Sequence, residues 1–257
     1  METALITGAS SGIGLELAKL FAADKSNLVL VARRADRLTA LAEELQRRHG
    51  ITAQVLTKDL TRPEAPQEIF DELTQKSVVI DVVVNNAGFG SLGSIAALDL
   101  KRQLDMIQVN ITALVHLTRL FLPGLIERDR GGILNVGSTA GFQPGPYLTV
   151  YYASKAFVLH FTEGLAEELK GKNIRISCLC PGPTTTEFAA EANMESAPLF
   201  RLGSMTAEAV ARIGYHGFRN GKVVVIPGVK NKLGTFAVRL TPRFLVRKIT
   251  KRLQGGT

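Results

Sequence analysis

Apolar positions along the chain follow two rhythms. Short, nearly unbroken apolar runs occupy Thr3–Thr7, Asn27–Val31, Ala53–Thr57, Asp81–Val84, Gly132–Val136, Arg175–Leu179 and Lys222–Ile226. Between them lie longer stretches with helical spacing, such as Arg37–Arg48, where Leu38, Leu41 and Leu45 share one face. Runs apolar on both faces read as buried parallel strands, and their alternation with helices reads as βαβ units. The pattern predicts an α/β fold, a doubly wound, Rossmann-like parallel sheet of about seven strands in a single domain. Ligands of such sheets sit beyond the carboxyl ends of the strands. Every notable motif falls there: Gly8–Gly14 after the first run, Arg33-Arg34 after the second and Asp59 after the third. Asn85–Gly88 follows the fourth, Ser138 the fifth and Pro181–Thr184 the sixth.

Composition narrows the picture. A chain of 257 residues suffices for one large α/β core. No uninterrupted apolar run reaches the ~18 residues of a membrane span, and a first strand at Thr3 leaves no room for a secretory signal. Cys178 and Cys180 alternate within a strand-like run, which suggests buried thiols in a reducing, cytoplasmic compartment. His49, His116, His160 and His216 are scattered without metal-ligand spacing, so no metal site is expected. The net charge of +8 is unevenly placed: after Glu208 there is no acidic residue but eleven Lys or Arg. A near-neutral body with a basic tail does not suggest nucleic-acid binding, for which basic residues would be spread over the domain.

Two local patterns carry chemistry. Gly8-Ala-Ser10-Ser11-Gly12-Ile13-Gly14 stands between a buried strand and a helical pattern. Glycines there let a pyrophosphate approach the backbone, and the helix N-terminus offers free N–H groups and partial positive charge. The spacing G-x-x-x-G-x-G differs from the commonest dinucleotide fingerprint, and such a turn can also be only a turn. Tyr151 and Lys155, in YYASK, lie four apart and so share a helix face. A nearby ammonium lowers a phenol's pKa from its usual ~10, which would suit Tyr151 to proton transfer. Tyr152 and Tyr147 compete for that role, and the same spacing occurs on ordinary surface helices.

TGASSGIG, NNAG, a Ser thirteen residues before Tyr151, YYASK and PGPTTTEF, in this order, make the chain resemble the short-chain dehydrogenase/reductase family over roughly residues 3–227. The resemblance implies hydride transfer between a nicotinamide cofactor and a carbonyl or alcohol. It implies a catalytic set of Asn110, Ser138, Tyr151 and Lys155. Tyr151 would be the general acid–base, and Lys155 would lower its pKa and hold the nicotinamide ribose. Ser138 would orient the substrate oxygen, and Asn110 would anchor a water that resupplies protons. Plainer roles are a helix-kink polar group for Asn110 and a turn residue for Ser138. Further cofactor contacts are implied at Ile13, Asp59, Leu60, Asn86, Ala87 and Gly88, and at Pro181, Gly182, Thr184 and Thr186. NAD enzymes of this fold usually carry an acidic residue at the end of the second strand. Ala32 stands there, followed by Arg33 and Arg34, so NADP(H) is favoured over NAD(H).

Residues 187–206 correspond to the family's variable substrate lid. Phe188, Met194, Leu199 and Phe200 there suit a hydrophobic substrate, although core packing would use the same residues. The family usually forms homodimers or homotetramers through the helices holding Asn110 and Tyr151. The expected division is therefore a catalytic unit over 1–227 and a basic extension over 228–257. Thr241 and Pro242 read as a helix start, with Leu245, Ile249 and Leu253 as its apolar stripe. That stripe is expected to pack on the domain or on a second subunit, the alternative being weak contact with an anionic membrane. Competing functions are a catalytically silent dinucleotide-binding sensor or scaffold, and an NADP-dependent epimerase or dehydratase.

Overall fold

The computed structural model describes residues 1–192 and 203–255. Six strands carry the sheet's main body: β1 (Thr3–Thr7), β2 (Asn27–Ala32), β3 (Ala53–Thr57), β4 (Val82–Asn85), β5 (Gly131–Val136) and β6 (Ile174–Leu179). Two short strands follow, β7 (Thr184–Thr185) and β8 (Met205–Thr206), which pair with each other, and then β9 (Val224–Val225). The seven-stranded sheet runs in the order β3-β2-β1-β4-β5-β6-β9, with every pairing parallel. This is the doubly wound arrangement that the strand–helix alternation predicts.

Alternation along each strand divides the core between the two faces of the sheet. Ala4, Ile6, Leu28, Leu30, Val82, Val84 and Leu134 point to one side. There they meet α1 (Gly12–Ala23), α2 (Ala35–His49) and α8 (Ala207–Arg219). Leu5, Val29, Val31, Val83 and Ile133 point to the other side. These meet α3 (Ala65–Gln75), α5 (Leu114–Arg128) and α6 (Thr149–Glu168). α2 stops at Gly50, whose φ of 65° takes the left-handed cap that side chains resist, and Arg47, Arg48 and His49 fill its last turn. On the first face, Phe21 of α1 meets Tyr215 of α8 edge-on at 4.9 Å.

α4 (Leu100–Ile107) begins at Asp99, whose carboxylate accepts the Arg102 N–H at 2.8 Å. It continues through a π-helical turn, Gln108–Ala113, into α5, giving one unbroken helix over Leu100–Arg128. By length and composition this helix could cross a membrane, although polar residues interrupt its apolar run. Its buried line of Val109, Ala113, Leu117, Phe121 and Leu125 packs on the sheet, as a core helix does.

The end of the chain departs most from its sequence pattern. The last strand shrinks from Lys222–Ile226 to two residues. A helix not foreseen, α9 (Val229–Leu240), follows it and precedes α10 (Arg243–Leu253). Thr241 does not cap α10; its hydroxyl donates backwards to the Ala237 carbonyl at 2.8 Å. The buried line of α10 is Val246, Thr250 and Gln254, one position on from the expected stripe, while Leu245 and Ile249 face outward. The Gln254 amide donates to the Tyr152 hydroxyl, which supplies a polar reason for that register. Within the expected lid, Phe188–Glu191 forms the short helix α7. Met194, Leu199 and Phe200 lie outside the described residues.

Candidate active site

A cleft of about 520 Å³ opens beyond the carboxyl ends of β1 to β6. Its wall at one end begins at the β1–α1 turn. Gly8 there has φ +67°, and a Cβ would meet the Asn86 Nδ2 at 2.7 Å. The Gly8 and Ala9 N–H groups donate to the Val31 carbonyl at 2.8 and 3.3 Å, tying the turn to β2. Asn86 ties it to β4 as well, donating to the Thr7 and Gly8 carbonyls at 2.9 and 3.2 Å. α1 starts at Ser11 with no side-chain cap and no acidic residue in its first turn, which leaves its N–H dipoles free for an anion.

Ser10, Ser11, Gly12 and Ile13 line the cleft, and so do Asp59, Leu60, Ala87 and Gly88. Pro181, Gly182, Thr184 and Thr186 line it too. Two expected site residues do not line it. Gly14 sits behind the turn, where a side chain would collide with the Gly8 carbonyl and Asn86. Asn110 is buried in the π-helical turn. Its Oδ1 accepts the Phe89 N–H at 3.2 Å, and its Nδ2 donates to the Phe89 carbonyl at 3.1 Å and the Ser154 hydroxyl at 3.0 Å. The widened turn aims this amide at the strand-end loop, so Asn110 holds the cleft's back wall in place.

Of the two arginines after β2, Arg34 faces the phosphate turn. Its guanidinium reaches the Ser10 hydroxyl at 3.1 and 3.2 Å and the Ser11 hydroxyl at 2.8 Å. Arg33 is more exposed and lies 3.5 Å from Glu191. Arg37, which the sequence reading passed over, lies one helical turn beyond Arg34, and that spacing is a signal which could have found it. Glu187 bridges the two, at 2.7 Å from Arg34 and 2.6 Å from Arg37. Hydrogen bonds from Arg37 and Arg34 hold its carboxyl down at about 2. Nothing local marks Glu187 as their partner, because 153 residues separate it from Arg34. Its carboxylate occupies the fork as a phosphate group would, and the serines, arginines and glycine turn together fit the phosphates of a dinucleotide.

At the other end of the cleft the three tyrosines separate cleanly. Tyr147 has φ 66° and carries the Lys251 ammonium 5.9 Å from its ring. Tyr152 is buried, bonded to Gln254 of the tail. Tyr151 lines the cleft with its ring 5.3 Å from the Phe188 ring, and Ser138 stands beside it on the cleft wall. The Ser138 hydroxyl accepts the Ala140 N–H at 3.1 Å and donates to the Pro181 carbonyl at 3.3 Å.

The electrostatics differ from the expected phenol–ammonium couple. Lys155, 5% exposed, donates to the Val136 carbonyl at 2.8 Å and stands 5.8 Å from the Tyr151 ring centre. Burial pushes the Tyr151 phenol up to about 12, and only the neighbouring Ser138 hydroxyl pulls against it. Burial pushes the Lys155 ammonium down to about 8. Desolvation therefore dominates both groups, and the ammonium spends its hydrogen bond on backbone rather than on the phenol. Behind Lys155, Cys178 and Cys180 are buried free thiols with sulfurs 3.5 Å apart.

Comparison with known proteins extends this geometry. A family model described as short chain dehydrogenase matches residues 2–197. Sulfoacetaldehyde reductase 2 of Chromohalobacter salexigens is 42% identical over 189 residues, which cover 73% of this chain and 74% of that protein. A short-chain dehydrogenase from Sphingobium yanoikuyae in complex with NADPH superposes with a TM-score of 0.83 at 33% identity, covering 93% of this chain and 95% of the other. The bulky-bulky ketone specific alcohol dehydrogenase from Comamonas testosteroni superposes at 0.79 with 31% identity, covering 93% and 92%. With a Gly-rich phosphate turn at one end of its cleft and Tyr151, Ser138 and Lys155 at the other, the chain belongs to the short-chain dehydrogenase/reductase family, as an oxidoreductase acting on CH–OH donors.

Proposed function

We propose that this protein reduces a hydrophobic ketone or aldehyde, or oxidises the corresponding alcohol, with NADP(H) preferred over NAD(H) and Tyr151 as the acid–base. The bound dinucleotide supplies or accepts the hydride. The observation that carries the reading is that Tyr151, Ser138 and Lys155 line one cleft together with the Gly-rich turn. A phenol pushed up to about 12 is protonated at neutral pH, the form needed to donate to an oxygen that has just received hydride. Ser138 gives up only a long 3.3 Å bond to Pro181 when its proton turns to the substrate oxygen. Lys155 must leave the Val136 carbonyl to favour the phenolate that alcohol oxidation needs, so reduction is the easier direction at neutral pH.

Support for an NADP(H) preference is Arg34, whose guanidinium lies beside the Ser10 and Ser11 hydroxyls, and Arg37, which shares Glu187 with it. The NADPH of the Sphingobium relative supports the same choice. The aromatic wall of Phe188 against Tyr151 supports a hydrophobic substrate, as does the bulky-ketone specificity in the name of the Comamonas relative. Buried free thiols support a reducing, cytoplasmic setting. The test is NADPH consumption across a panel of aliphatic, aromatic and polar carbonyls. Bulky apolar ketones should be turned over fastest. Arg34→Ala with Arg37→Ala should raise the KM for NADPH at least about tenfold while changing that for NADH little. Equal effects on both cofactors, or preference for small polar substrates, would refute the corresponding half of the reading.

A further inference from the structure

We propose that the C-terminal pair α9–α10 is a docking surface for an anionic phospholipid bilayer. Along α9, Val229, Leu233, Phe236 and Leu240 recur at spacings of four, three and four, which puts them on one stripe. α10 adds Phe244, Leu245 and Ile249. These seven side chains are between 39% and 74% exposed, a density of large apolar groups that a free surface rarely carries. Lys230 flanks the α9 stripe on one side, and Lys232 and Arg239 flank it on the other. Arg243, Arg247, Lys248 and Arg252 stand exposed on α10. An apolar stripe bordered by cations is the composition of a helix lying at the headgroup level.

The inner faces of both helices are already committed. α9 turns Thr235 inward and sets Asn231 against Gly182, while α10 buries Val246, Thr250 and Gln254. The outer face is therefore not awaiting its own domain. A second copy is the next occupant to weigh, and charge opposes it. Neither helix holds an acidic residue, so pairing these elements would set the eight Lys and Arg of one copy against the eight of the other. An anionic lipid surface accepts both the apolar residues and the charge. The inference goes beyond the catalytic reading and does not depend on it.

The experiment uses the full-length chain in flotation with vesicles of phosphatidylcholine, with and without phosphatidylserine. Binding should be more than about tenfold tighter to the anionic vesicles, because two basic side chains near such a surface already supply that factor. It should weaken steeply as salt is raised. Phe236→Ser with Phe244→Ser should abolish it, and Arg243→Gln with Arg247→Gln should reduce it several-fold. All four positions are exposed, and an unchanged melting temperature confirms that each variant is folded. Three results would each overturn the proposal. One is no binding at low salt; another is equal binding to neutral vesicles; the third is binding indifferent to these substitutions. A dimer in solution that the Phe236→Ser, Phe244→Ser variant dissociates would overturn it too, by assigning the face to a second copy.

Discussion

At the residue scale the site is governed by desolvation. Lys155 is an ammonium in a dry place, held by one carbonyl and shifted from its ordinary 10.5 to about 8. For a base whose folded pKa is depressed, burial costs stability wherever the folded chain must still carry the charge. The cost is complete below about 8, shrinks as pH rises from there to about 10.5, and vanishes above. The gap corresponds to about 3 kcal/mol as an upper bound, offset in part by the hydrogen bond to Val136. Lys155→Met should therefore raise the melting temperature at pH 7, and its advantage should narrow between pH 8 and pH 10.5. A variant less stable than the parent at pH 7 would contradict this account of the site. Sequence revealed Tyr151 and Lys155 because a spacing of four on a helix is a local fact. It could not reveal that their mutual attraction is weaker than the burial each undergoes, since that depends on walls supplied by β5, β6 and the segment after Pro181.

At the scale of elements, local pattern worked where a strand or helix is buried on its own terms. The first six strands were legible within a residue or two because each is apolar and ends in a turn or polar motif. The Val224–Val225 edge strand was overextended, since only part of its apolar run pairs with β6. The register of α10 was misread because the apolar periodicity of Leu245, Ile249 and Leu253 competes with a polar contact, Gln254 to Tyr152, that spans 102 residues. α4 and α6 carry a further consequence. Leu100, Leu104 and Ile107 form an exposed line on α4, and Phe157 is exposed on α6, stacked at 5.7 Å on Phe161. Apolar faces on these two helices suit the homo-oligomer that the family resemblance implies. Leu104→Lys with Phe157→Lys should lower the mass measured by light scattering to that of a single chain. An unchanged oligomer, or a parent that is already monomeric, would contradict the assignment.

At the scale of the whole molecule, the two ends of the cleft are joined through the lid. Glu187 holds Arg34 and Arg37 at the phosphate end, and Phe188, the next residue, packs on Tyr151 at the catalytic end. The tail supports the same region from behind, through Gln254 under Tyr152 and Asn231 against Gly182. On the proposed function, cofactor recognition, substrate enclosure and proton transfer would thus rest on contacts between segments far apart in the chain. That is why motif order could name the family, whereas the lid carboxylate and the tail anchors emerged only from the fold. All of this turns on Tyr151 as the proton donor, and one measurement tests it most directly: NADPH turnover by Tyr151→Phe on the best carbonyl substrate, with NADPH binding followed by cofactor fluorescence. The account predicts binding within a few-fold of the parent and turnover lower by about 10²–10⁴. Turnover close to that of the parent would contradict it.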